Sequence, residues 1–116
     1  MSRSSVVYYT TGSGRNPVRD FNDSLDTDTA AQIFYDLELL GEYGLTLGMP
    51  HVRHLEGKLW ELRTVFAGNQ HRVVFAPVGG GFLLLHAFRK KAQKTLRRDI
   101  ELAQSRLKDY LARGRP

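Results

Sequence analysis

A chain of 116 residues with 41% hydrophobic content can bury one modest core, so a single domain over residues 1–116 is expected. It has no cysteine and no apolar run near the ~18 residues of a membrane span, which excludes a disulfide framework, a thiolate nucleophile and a cysteine-held metal; a cytoplasmic protein without membrane association is expected. The net charge of +5 is segregated: residues 1–50 carry three Arg against seven Asp and Glu, and residues 51–116 carry fourteen Lys and Arg against five.

Val6-Val7-Tyr8-Tyr9-Thr10-Thr11 is β-branched and aromatic and breaks at Gly12-Ser13-Gly14, predicting a first strand. Asn16-Pro17 is a cap and first-turn pair for a short helix whose Val18, Phe21 and Leu25 share a face. A second cap around Asp26-Thr27-Asp28 starts a helix with Ala30, Ile33, Phe34, Leu37 and Leu40 on its apolar side, ending near Gly41 and Gly44. The two make a helical hairpin. Leu45 to Leu55, rich in Gly, Pro and His, reads as loop. Lys58 to Phe66, His71 to Pro77 and Gly81 to Phe88 are strand-like, with hairpin signals at Ala67-Gly68-Asn69-Gln70 and Gly79-Gly80, and they form an antiparallel meander. From Leu96 onward an amphipathic helix presents Leu96, Ile100, Ala103, Leu107 and Tyr110 or Leu111, with Thr95 as its cap. The expected fold is α+β in the order β-α-α-β-β-β-α, with helices on one sheet face and the other face free for function.

The cationic half projects a field that draws polyanions, nucleic acid first; a basic face kept for solubility is the plainer alternative. Strict alternation puts Phe82, Leu84, His86, Phe88 and Lys90 on one side of the last strand. Arg63 and Arg72 lie inside strands, where a guanidinium needs a carboxylate or an anionic ligand, and Glu61 is the obvious internal partner. Arg89 to Arg98 holds six cations in ten residues, among them Lys90, Lys91, Lys94, Arg97 and Arg98, at a strand-to-helix junction. With His86 this suits a groove for a phosphodiester backbone, although a histidine in an apolar strand also serves as a hydrogen-bonded core residue. His51 and His54 lack a third ligand nearby, so no metal is expected; no Gly-rich segment carries the Lys and Ser or Thr of a phosphate loop, and no cofactor is expected.

Gly57-Lys58-Leu59-Trp60-Glu61-Leu62-Arg63, then His71-Arg72-Val73-Val74-Phe75, then His86-Ala87-Phe88-Arg89-Lys90-Lys91 with Gln93-Lys94-Thr95, resemble the RelE/ParE toxin superfamily, nearest its HigB-like, phage-derived branch. The resemblance spans roughly residues 55–103, with Leu96 where the branch usually has Pro. It implies a microbial RNase-like fold and the toxin of a type II toxin-antitoxin pair: a ribosome-dependent, metal-independent mRNA endonuclease that leaves a 2′,3′-cyclic phosphate and is silenced by an antitoxin protein. On that resemblance Arg63 and Arg72 would hold the phosphate, and His86 or Lys90 would move protons. Lys58, Lys91, Lys94, Arg97 and Arg98 would contact messenger or ribosomal RNA. A ParE-like gyrase inhibitor of the same fold and a non-enzymatic nucleic-acid-binding module are the alternatives, which fold alone does not separate.

Overall fold

A computed structural model describes residues 4–114. Strand β1 (Ser5–Tyr8) leads to helices α1 (Pro17–Asp23) and α2 (Thr27–Tyr43) and a 3-10 turn (Gly44–Leu47). Four strands follow, β2 (Val52–Glu56), β3 (Leu59–Phe66), β4 (Asn69–Val78) and β5 (Gly81–Arg89), and then helix α3 (Arg97–Ala112). The fold is α+β as expected, but its order is β-α-α-β-β-β-β-α rather than β-α-α-β-β-β-α. The segment 45–55 contains β2, an edge strand with only Val52 fully buried and its register broken between His54 and Glu56. Its pairing with β3 makes it a strand, and so brief a run carries little pattern of its own.

The local signals act as their chemistry requires. Asn16 accepts the Arg19 N–H at 3.2 Å and Pro17 opens α1; Asp26 accepts the Thr29 N–H at 3.1 Å and opens α2. Gly44, at φ 60, ends α2 with its N–H on the Leu40 carbonyl. The β3–β4 turn places Ala67 and Gly68 at φ 51 and 80, the mirror-type hairpin turn whose twist matches that of the strands.

The five strands lie in the order β1-β5-β4-β3-β2, with β1 parallel to β5 and the remaining pairs antiparallel. Gly81 permits the parallel pair, because a Cβ there would stand 2.3 Å from the Ser5 carbonyl oxygen. Helices cover both faces, not one. Val73, Phe75, Phe82 and Leu84 pack with Val18, Ile33, Leu37 and Leu40 of α1 and α2; Val74, Ala76, Leu83 and Leu85 pack with Ile100 and Ala103 of α3. Strands apolar on both faces demand two covers. Ile33, Leu37 and Leu40 are buried as expected, whereas Phe34, one residue round the helix from Ile33, is 44% exposed. On α3, Leu107 and Tyr110 face the core and Leu111 faces out.

The β4–β5 register shifts between Val74 and Phe75, which pair with His86 and Leu84 and leave Leu85 as the extra residue of a bulge. Alternation is therefore reset. His86 and Phe88 follow Leu83 and Leu85 on the α3 side, not Phe82 and Leu84 as strict alternation predicts. Helix α3 is pinned at its far end by the buried Tyr9, whose hydroxyl donates to Asp109 Oδ2 at 2.6 Å, and by Arg106, which donates to the Leu85 carbonyl at 2.8 Å.

Candidate functional site

Strand β3 carries Glu61 and Arg63 on its α3-facing side, and the β3–β4 register sets Arg72 opposite Arg63. Glu61 is 2% exposed, and its carboxylate would be costly there without partners. Its Oε2 lies 3.5 Å from Arg72 Nε and 3.8 Å from Arg63 Nε, and its Oε1 accepts the Thr95 hydroxyl at 2.6 Å. Thr95 is thus not the cap of α3: Leu96 holds the cap position with no side-chain hydrogen bond, and the threonine hydroxyl satisfies a buried carboxylate instead. Two guanidiniums around one carboxylate leave a net positive charge in the sheet.

Arg72 is the more enclosed of the two, 3% exposed against 21% for Arg63. Its guanidinium donates to the His71 carbonyl at 3.3 Å and to Gln70 Oε1 at 3.1 Å. Burial pushes its pKa down, and the Glu61 charge pulls it back up. An arginine so held keeps its charge and points it in a fixed direction.

A cleft of about 260 Å³ opens over this group, between the end of β5, the segment 90–96 and the first turn of α3. Arg72, Arg89, Lys90, Lys91, Lys94 and Arg98 line it, against two carboxylates, Glu61 and Asp99. Both carboxylates are occupied, Glu61 as described and Asp99 by His86 Nε2 at 2.8 Å. The Lys90 N–H donates to the Gln70 carbonyl at 2.8 Å and fixes where the basic segment leaves the sheet. Among the sequence-derived candidates, Arg72, Lys90, Lys91, Lys94 and Arg98 therefore converge on one cavity.

The others do not. His86 sits behind the cleft, 15% exposed, stacked on Phe88 with ring centroids 5.2 Å apart. Burial lowers its pKa, and the Asp99 hydrogen bond opposes that shift. Arg63 lines a second cleft, at the free half of β3, with Gln32, Asp36, His51, Gln70 and Arg72, so that Arg72 borders both cavities. Arg97 is engaged by Glu56 through both terminal nitrogens, at 3.1 and 2.5 Å. Lys58 lies on the β2–β3 turn, beside the C-terminal half of α3. His54 bonds the Gly57 carbonyl at 2.8 Å and packs on Trp60.

The roles of Thr95, Gln70 and Asp99 at the site escaped the sequence reading, which gave Thr95 to a helix cap and Gln70 to a turn. Their partners Glu61, Arg72 and His86, all in strands, are 34, 2 and 13 residues away, and residue spacing alone does not reveal such pairings. No helix among the described residues is long and apolar enough to cross a membrane.

A search of curated proteins finds no match. The family model described as Phage derived protein Gp49-like (DUF891) matches residues 20–108, a span that runs from α1 to α3 and includes every side chain of the cleft. The chain thus belongs to the phage-derived Gp49-like family, within the RelE-like toxin superfamily.

Proposed function

We propose that this protein is a HigB-like toxin that cleaves messenger RNA on the ribosome, with the cleft over Arg72 as its phosphate site. The observation that carries this reading is the concentration of six cations around one cavity whose two carboxylates are already occupied. Such a cavity attracts a phosphodiester and stabilises the charge that grows on it.

The reaction that suits these residues uses the substrate's own nucleophile. The ribose 2′-oxygen forms a bond to phosphorus, the bond from phosphorus to the 5′-oxygen breaks, and the products are a 2′,3′-cyclic phosphate and a 5′-hydroxyl. The protein has to align the strand, take a proton from the 2′-hydroxyl, return one to the leaving oxygen and offset charge on the phosphorane. Arg72 takes the last task in this reading, which is supported by Glu61, the His71 carbonyl and Gln70 fixing its plane. Lys91, Lys94 and Arg98 hold the strand. Proton transfer falls to Lys90, which lines the cleft; His86 orients Asp99 and the first turn of α3 from behind. Arg63, Lys58 and Arg97 lie outside the cavity. The few acid-base groups suit a catalyst that relies on the ribosome to align the message.

The reading is tested by adding the purified protein to a translating extract and mapping reporter message ends by primer extension. Cuts within codons that require ribosomes are expected. Intact message with supercoiling arrested would identify a gyrase inhibitor instead, and RNA binding without cuts a non-enzymatic module.

A further inference from the structure

On the other flank of α3, away from the cationic cleft, a groove of about 310 Å³ runs between the β2–β3 turn and the C-terminal half of the helix. The partly buried Leu107 forms its floor over the fully buried Leu59, and Leu111 stands 49% exposed at its end. Lys58 and Lys108 stand on its banks. Its one carboxylate, Glu56, is taken by Arg97 and Gln104 and held below the usual carboxylate range by those bonds, Arg97 foremost. What the groove offers a partner is therefore leucine on the floor and ammonium on the rim.

We propose that this groove docks an acidic amphipathic helix of the antitoxin, with a leucine-sized side chain on the floor and carboxylates reaching Lys58 and Lys108. The proposal rests on the toxin reading for the identity of the partner. Charge decides between occupants. A second copy would bring its own two lysines to the same rim, and like charges oppose that contact. A nucleic acid would satisfy the rim but would lay ribose and phosphate on leucine, and no aromatic ring lines the groove for a base to stack on. A helix with one apolar stripe and acidic flanks satisfies floor and rim together.

The position also explains how such an anchor could silence the cleft. Arg98 lines the cleft and Leu111 the groove, on one helix that rises about 1.5 Å per residue, so the two are about 20 Å apart. An extended acidic tether of about six residues covers that distance at roughly 3.4 Å each. The antitoxin can anchor on the groove and lay its tether across the cations.

The test is equilibrium and kinetic binding of the cognate antitoxin to the wild-type protein and to Leu111→Asp and Lys108→Glu, both at exposed positions outside the cleft. The expected result is an affinity loss of about tenfold or more for Leu111→Asp, a slower and less salt-sensitive association for Lys108→Glu, and unchanged message cleavage by both free variants. Binding of both variants within about twofold of wild type overturns the proposal. So does a concentration-dependent dimer of the free protein that Leu111→Asp abolishes, or ribosomal RNA protected by wild type and not by Lys108→Glu. Failure of the toxin reading shows separately, as absence of cleavage by the free wild-type protein.

Discussion

The Thr95 hydroxyl donates to Glu61 Oε1 at 2.6 Å, tying the junction between β5 and α3 to the middle of β3, 34 residues earlier in the chain. That bond holds the Lys90–Lys94 segment over Arg72. Thr95→Val removes the donor while keeping the shape, leaving a 2% exposed carboxylate short of a partner, and should cost about 1–3 kcal/mol of stability. Thr95→Ser should retain both stability and cleavage. Urea melts of the two variants decide it: equal midpoints would mean that the hydroxyl contributes nothing.

Arg72→Lys keeps a positive charge beside Glu61 but loses the planar fork, so stability should fall modestly while cleavage falls by about 10²-fold or more. Arg72→Ala is the poorer probe, because it removes the nearer of Glu61's two counter-charges and leaves only Arg63 at 3.8 Å, so that a loss of stability confounds the activity. Single-turnover cleavage on programmed ribosomes, with soluble Arg72→Lys, is the measurement; wild-type rates would remove Arg72 from the site.

For Lys90, Lys91 and Lys94, replacement by Arg separates holding from proton transfer, since Arg is too weak an acid to exchange a proton at neutral pH. Lys94→Arg and Lys91→Arg should keep most activity, and Lys90→Arg should lose about 10²-fold. Equal small effects at all three positions would return the proton-transfer role to His86.

Two histidines make stability fall with acid. Burial lowers the pKa of His71 and of His86 from the ordinary 6.5. In each case the unfolded chain takes up the proton first as the pH drops, so the folded state loses ground below about pH 6.5 and is unaffected above it. Thermal melts between pH 8 and pH 5 should show that fall, and His86→Gln should flatten part of it. A profile flat through pH 5 would contradict both shifts.

Ala67 occupies the left-handed region at φ 51 in a two-residue turn next to Gly68. Ala67→Asn gives the Asn-Gly pair that such turns favour and should stabilise the protein by about 0.5–1 kcal/mol without touching activity. A lower melting temperature would show that the strand ends and not the turn set this conformation.

What could be read from the sequence was what short stretches of chain decide. Asn16 and Asp26 cap helices because their oxygens reach N–H groups three residues on, and β3, β4 and β5 carry their own strand-forming runs and turns. Lys90, Lys91, Lys94 and Arg98 meet in the cleft because they are neighbours in the chain. Features set by distant partners were illegible. β2 is a strand only by virtue of β3, and the bulge at Leu85 is hidden in an unbroken apolar run. Arg97 looks like its neighbour Arg98 until Glu56, 41 residues away, claims it. Phe34 satisfied the helical period and still faces solvent, since a three- and four-residue spacing defines a stripe wider than the core needs.

The parallel pairing of β1 with β5 sets a schedule for folding. The first strand has no partner until the last has been synthesised, and the Tyr9 hydroxyl meets Asp109 only across a separation of 100 residues. Contacts so far apart form late and slowly. The cationic cleft, built where β5 runs on to α3, is therefore assembled after the local turns and helices have formed.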